Sequence, residues 1–300
     1  MNVNEYLEKI LAEQNLPDDS AELKELQERR ADVEKLLRTG FPESKPTIRY
    51  GGSKAKGTLI REAYDLDITC YFRHDDTGAG KSLRDIFTNV KGKLSEKYFV
   101  KEKTSAIRLK SKDSNDFARD FHIDVVPGRF VDEFKSDCFL HQEGVDKERL
   151  KTNLDTHIAH VRDSGIVPAI RLLKLWKTRR TLRIKQFVFE LLITKLLKDK
   201  KDRSLAAQLE YIFKELRGSE EPIAVEDPAN PSGNDLSPLL KVIWPELSSF
   251  SDTTMDLIKN SGWEAVFGQL DNDENSEKII KLKQAAAGVA TPTKPWFSYK

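Results

Sequence analysis

Three aspartates and one glycine turn are the residues whose types and spacing could do chemistry. The run Tyr50-Gly51-Gly52-Ser53-Lys54-Ala55-Lys56-Gly57-Thr58 precedes Asp65-Leu66-Asp67-Ile68, with eleven residues between Ser53 and Asp65. Glycine has no Cβ, so a Gly-Gly-Ser turn brings backbone close to a phosphate. Residues 66–72 are β-branched and aromatic and predict a strand. Side chains two apart on a strand share a face, so Asp65 and Asp67 project together. Adjacent carboxylates repel, and a hard cation, magnesium above all, suits an all-oxygen ligand set. Phe121-His122-Ile123-Asp124-Val125-Val126-Pro127-Gly128 predicts another strand, with Asp124 in apolar company where an unpaired carboxylate is costly. Alone, an Asp-x-Asp pair is commonplace and Gly-Gly-Ser is an ordinary turn. Together, three converging carboxylates holding two metal ions would activate an attacking hydroxyl and stabilise departing pyrophosphate in an in-line displacement.

Gly52-Ser53, the spacing to Asp65-Leu66-Asp67-Ile68 and the distal Asp124 resemble the signature of polymerase-β-type nucleotidyltransferases. Two later segments narrow the resemblance. Ala169-Ile170-Arg171-Leu172-Leu173-Lys174-Leu175-Trp176 and Lys185-Gln186-Phe187-Val188-Phe189-Glu190-Leu191-Leu192 are similar to paired helical motifs of the oligoadenylate synthetase and cyclic GMP-AMP synthase branch. Asp227-Pro228-Ala229-Asn230-Pro231 resembles a late segment of its bacterial members, the CD-NTases. The resemblance runs from about Tyr50 to about Leu240. It implies magnesium-dependent (or manganese-dependent) joining of nucleoside triphosphates, ATP among them, into a cyclic di- or trinucleotide second messenger. That messenger would act in antiphage signalling (CBASS) through a downstream effector. It further implies that Asp65, Asp67 and Asp124 hold two metal ions and are catalytic, Asp124 lying near the attacking ribose hydroxyl. Gly52 and Ser53 would cradle the donor triphosphate, with Lys174 and Gln186 securing it from the helical side. A serine commonly stands where Gln186 falls, and glutamine there is as in the oligoadenylate synthetases; it can still donate to a phosphate oxygen.

The elements that must position these residues follow from periodicity. Residues 4–14 predict a short amphipathic helix. Asp19 with Glu22 resembles a capping box opening a helix to about Arg38, with Leu23, Leu26, Val33 and Leu37 inward. Residues 47–50 predict a strand, 82–97 a helix, 98–103 and 106–110 strands, 112–116 a turn and 119–126 the third-carboxylate strand. Residues 128–144 read as irregular. Helices are predicted at 146–163, 167–181 (with Pro168 at its start), 186–198, 204–217, 255–267 and 276–287. The sum is an α+β chain: a polymerase-β-like mixed-sheet lobe with its bracing helix over 1–145, and an all-helical lobe over 146–300. The active site is expected in the cleft between them. Lys54 and Lys56 read as solvated, and Glu190 as a structural hydrogen-bonding or salt-bridge partner. Asp227 and Asn234 read as turn-makers that border the cleft at most. Trp296, Phe297 and Tyr299 near the terminus are expected to dock on the body or meet a partner.

Composition bounds the alternatives. Charged residues are 33% and hydrophobic ones 38%, and no apolar run approaches about 18 residues, so a membrane span is not expected. Cys70 and Cys138 lack zinc-site spacing and fit a reduced cytoplasm. Net charge is +1, and a tRNA end-adding enzyme would be expected to carry a larger basic surface than that suggests. The basic run Arg171, Lys174, Lys177, Arg179, Arg180, Arg183, Lys185 could hold triphosphates or a polyanion, with triphosphate binding expected for Lys174. The rival readings are a linear 2′–5′ oligoadenylate synthetase or an RNA- or protein-directed nucleotidyltransferase, and an inactive nucleotide-binding module. Activation by a regulatory protein or by nucleic acid stays open, as do base choice, ring size and linkage.

Overall fold

The computed structural model describes residues 1–17, 19–112, 123–144, 148–218 and 221–270. Alternation of apolar residues builds a seven-stranded mixed sheet in the first half of the chain. β1 (Thr47–Tyr50) runs antiparallel to β2 (Leu66–Phe72), which pairs in parallel with β5 (Ile123–Phe130). The first part of β5 pairs antiparallel with β4 (Ile107–Ser111), and β4 with β3 (Tyr98–Glu102). The later part of β5 pairs with β6 (Cys138–His141), and β6 with β7 (Arg149–Thr152). A parallel pair requires a crossover connection. The chain between β2 and β5 contains α4 (Leu83–Ser95), capped by Ser82 and burying Ile86, Phe87, Val90 and Leu94. These pack with Leu66, Ile68, Phe72, Ile123 and Val125 of the sheet and with Leu23, Leu26, Val33 and Leu37 of α2 (Ala21–Gly40).

A second core is helical. It joins α1 (Val3–Glu13) with α5 (Leu154–Arg162), α6 (Val167–Arg179), α7 (Gln186–Leu197), α8 (Leu205–Gly218), α9 (Ser237–Ser261) and α10 (Glu264–Phe267). Trp176 sits at its centre, with its ring centroid 5.1 Å from that of Phe213, and its indole N–H donates to Thr254 Oγ1 at 2.9 Å. Tyr6, Leu7, Ile10 and Leu11 of α1 belong to this core rather than to that of the sheet. The mixed sheet plus helices is the expected α+β architecture.

Several boundaries differ from expectation. Ser20, not Asp19, caps α2: its Oγ accepts from Leu23 N at 3.2 Å, the reach of an N-cap to the third helical residue. The helix expected over 146–163 begins only after β7, because residues 149–152 pair with β6 and Asn153 then caps α5. The stretch read as irregular contains β6, and β5 runs on to Phe130. An added Cβ at Gly128 would lie 2.6 Å from Cys138 Sγ, so glycine lets these two strands close. The last long helix starts near Ser237, not at Met255, and continues through Pro245. Proline removes one backbone donor and disfavours a helix interior; here Leu240, Ile243, Trp244 and Leu247 around it are buried in the helical core. Phe121, His122, most of the 112–116 turn, the 276–287 helix and the terminal aromatics lie outside the described residues. Among the described residues, no helix is long and apolar enough to cross a membrane.

Candidate active site

The glycine run is a short helix rather than a plain turn. α3 (Gly52–Lys56) leaves β1 with Gly51 at its N-cap, and Gly51 N donates to the Asp67 carbonyl at 2.9 Å, which lays the turn on β2. Gly52 has φ +50°, and a Cβ built on it would lie 1.6 Å from Asp67 Oδ2. Only glycine satisfies both the left-handed backbone and the carboxylate behind it. Ser53 is buried, and its Oγ accepts from Lys174 Nζ at 2.8 Å. Lys174 comes from α6, so this contact joins the sheet lobe to the helical one. Burial pushes the Lys174 ammonium down to about 8, against the opposing charge of Glu190.

The carboxylates are brought together by register. Asp67 and Asp124 are partners across the parallel β2–β5 pair, and Arg108 of β4 is the partner of Asp124 on the other side. Asp124 is paired: Arg108 Nε and Nη2 each lie 2.8 Å from its two oxygens, and Lys103 Nζ lies 2.6 Å from Oδ2. Burial works the other way, but these hydrogen bonds hold the Asp124 carboxyl below the usual carboxylate range. The Asp67 carboxylate accepts no hydrogen bond among the described residues. Burial first, then the charges of Asp124 and Asp65, push it up to about 6. Asp65, just before β2, is exposed. Among the described residues no three Asp, Glu, His or Cys side chains are gathered closely enough to hold a metal ion. The donor chemistry nevertheless fits a hard divalent cation, since a desolvated carboxylate without a donor feels the charges of two more carboxylates. Asp124 is engaged by Arg108 and Lys103, and Asp65 too has an interaction of its own.

A buried polar network links α3 to the helical lobe. Lys56 Nζ lies 2.7 Å from Glu190 Oε2, and Thr58 Oγ1 donates to Glu190 Oε1 at 2.9 Å. Gln186 Nε2 donates to the same Oε1 at 3.3 Å, and Lys177 Nζ donates to Gln186 Oε1 at 3.1 Å. Lys56 is therefore buried and not solvated, because α3 turns it inward onto α7; Glu190 is the salt-bridge partner expected. The basic run divides: Lys174 reaches Ser53, whereas Arg171 donates to Leu59 O and Asn15, and Arg179 to Glu62 and Phe267 O. Those arginines brace the fold. Asp227 is buried and accepts from His157 at 2.7 Å, Asn234 at 2.7 Å and Ala229 N at 2.9 Å, which makes it a turn residue. Lys103 and Arg108 were missed by the sequence reading. Arg108 sits on a plain alternating strand and Lys103 just after β3, and nothing local signals that both meet Asp124.

No protein-family model matches the chain. A cyclic AMP-AMP-AMP synthase of Escherichia coli (strain MS 115-1) is 26% identical over 218 residues, 65% of this chain; the match spans 64% of that relative's length. Among solved structures, E. coli MS115-1 CdnC with ATP is 18% identical, with TM-score 0.66 over 90% of this chain and 99% of that one. CdnC has also been solved in a complex with HORMA-deltaN (TM-score 0.65, 19% identity, 90% and 98% covered). Vibrio cholerae DncV cyclic AMP-GMP synthase is 15% identical, with TM-score 0.69 over 90% of this chain and 97% of that one. The curated match and the shared fold make this chain similar to the CD-NTases, the bacterial relatives of cyclic GMP-AMP synthase.

Proposed function

We propose that this chain is a magnesium-dependent nucleotidyltransferase that condenses nucleoside triphosphates, ATP among them, into a cyclic di- or trinucleotide with release of pyrophosphate. The observation that carries the reading is the contact of Lys174 Nζ with Ser53 Oγ at 2.8 Å, on a glycine helix whose Gly52 is backed against the donor-free Asp67 carboxylate. A cation and an anion-tolerant turn thus stand beside a carboxylate to which no side chain donates among the described residues. The ATP-bound CdnC structure and the synthase names of the relatives support the same class of reaction.

The parts divide the work as follows. Magnesium ions on Asp65, Asp67 and Asp124, or manganese in their place, would supply charge neutralisation and lower the pKa of an attacking hydroxyl. Gly52 and Ser53 cradle the donor triphosphate through backbone N–H and hydroxyl groups, and Lys174 adds a positive charge from the far lobe. Gln186, partly exposed beside Lys177, donates to a phosphate oxygen when it leaves Glu190. Asp124 lies nearest the attacking ribose hydroxyl and must exchange Lys103 to act. The HORMA-deltaN complex of CdnC favours a regulatory protein as partner, and the reading extends to a downstream effector that binds the product in antiphage signalling. The chain is read as cytoplasmic. Gln186 favours one second reading, a linear 2′–5′ oligoadenylate synthetase.

Pyrophosphate release from each of the four nucleoside triphosphates, with and without magnesium, tests the class of reaction. Metal-dependent release that is lost in Asp65→Ala/Asp67→Ala supports it; triphosphate binding without release contradicts it.

A further inference from the structure

Beyond the groups that touch substrate in this reading, one buried carboxylate has no assigned work. Glu190 of α7 is 1% exposed and lies between Phe189 and Leu191, which are also buried. Burying an ion pair is a weak route to stability, because desolvation offsets much of the attraction. What such a pair does reliably is fix geometry through short, charge-assisted hydrogen bonds.

The geometry it fixes is that of α3. Lys56 is the last residue of that five-residue helix, and Thr58 follows the left-handed Gly57 that ends it. Glu190 holds both, one on each oxygen. The Lys56 ammonium also lies 5.4 Å from the centre of the Phe187 ring, on the same turn of α7. So short a helix is marginal by itself. It is anchored at two points from the helical lobe: Lys174 grips Ser53 Oγ and the Thr58 carbonyl, and Glu190 grips the Lys56 and Thr58 side chains.

We infer that Glu190 is a positioning residue: acting through Lys56 and Thr58, it sets the angle at which α3 presents Ser53 and its backbone N–H groups to the donor triphosphate. The assignment rests on the nucleotidyltransferase reading above and adds to it a residue that never meets the nucleotide. Glu190→Gln is the sharpest variant, since it keeps shape and the acceptor for Thr58 while removing the charge that faces Lys56. Lys56→Met, the double variant and Thr58→Val, which deletes a hydroxyl alone, complete the set.

The experiment measures the Kd of a non-hydrolysable ATP analogue, KM and kcat for pyrophosphate release, and Tm, at a temperature where circular dichroism shows every variant folded. Glu190→Gln and Lys56→Met are each expected to raise Kd and KM roughly tenfold. The double variant is expected to lose no more than the worse single one, because both act on one contact. Thr58→Val is expected to fall between these and wild type. Kd and kcat/KM within about twofold of wild type while Tm drops, or losses that multiply in the double variant, would overturn the assignment. A wild-type protein that does not bind the analogue would instead overturn the nucleotidyltransferase reading, and the assignment with it.

Discussion

Asp67 and Asp124 are register partners on adjacent parallel strands, yet their carboxylates are held in opposite ways. Asp124 is clasped by Arg108 and Lys103 and kept acidic; Asp67 has no donor among the described residues and is pushed up to about 6. The site therefore contains one satisfied and one unsatisfied carboxylate, which is the asymmetry a cation would remove.

Releasing Asp124 from Lys103 should ease metal loading. Lys103→Met is expected to lower the magnesium concentration for half-maximal activity by about three- to fivefold, the scale of a partly exposed ion pair. Arg108→Met should behave differently, because it strips the bidentate partner from a buried carboxylate. It is expected to destabilise the fold by about 2–3 kcal/mol in urea unfolding. Equal magnesium requirements in wild type and Lys103→Met would show that Lys103 does not compete for Asp124.

Gly52 is expected to be intolerant of any side chain. Gly52→Ala places a Cβ against Asp67 Oδ2 and strains a left-handed φ, so activity should fall on the order of a hundredfold through misplacement of the turn. Adding Asp67→Ala removes the clash but also a proposed metal ligand. Thermal stability should then recover toward wild type while activity does not. Recovery of both would mean that Asp67 is not part of the chemistry.

Lys174 gives a pH signature. Its ammonium is lowered by burial to about 8, below the ordinary lysine value of 10.5. Between those two values the unfolded chain binds the proton and the folded one does not, so this residue makes folding stability rise as pH increases from about 8 to about 10.5. Triphosphate affinity should move the other way, weakening as pH rises through about 8 and the cation is lost. Lys174→Met should bind more weakly at neutral pH and show no such weakening. An analogue-binding profile flat to pH 9 in wild type would remove Lys174 from the triphosphate site.

What could be read in the sequence was what the chain holds locally. Ser53 falls in the glycine segment, Asp65 just before β2 and Asp67 within it, and the apolar spacing of α4 and α6 is periodic enough to set their buried faces. What could not be read depended on pairing between distant segments. β7 looks like the start of a helix until it meets β6, and Arg108 looks like any strand residue until the ladder sets it opposite Asp124. Lys56 and Lys54 are two apart in one short basic run; only the approach of α7 distinguishes the buried one. Pro245 concealed α9 because tertiary burial on both sides of it overrode a local preference.

The most direct test of the account is the identity of the product. Purified protein would be incubated with ATP, GTP, CTP and UTP and magnesium, treated with phosphatase, and the remaining nucleotides identified by mass spectrometry beside Asp65→Ala/Asp67→Ala. The account predicts a phosphatase-resistant species with the mass of a cyclic di- or trinucleotide, absent in the variant. Pyrophosphate release that yields only linear products with removable terminal phosphates, or a resistant species undiminished in the variant, would contradict it.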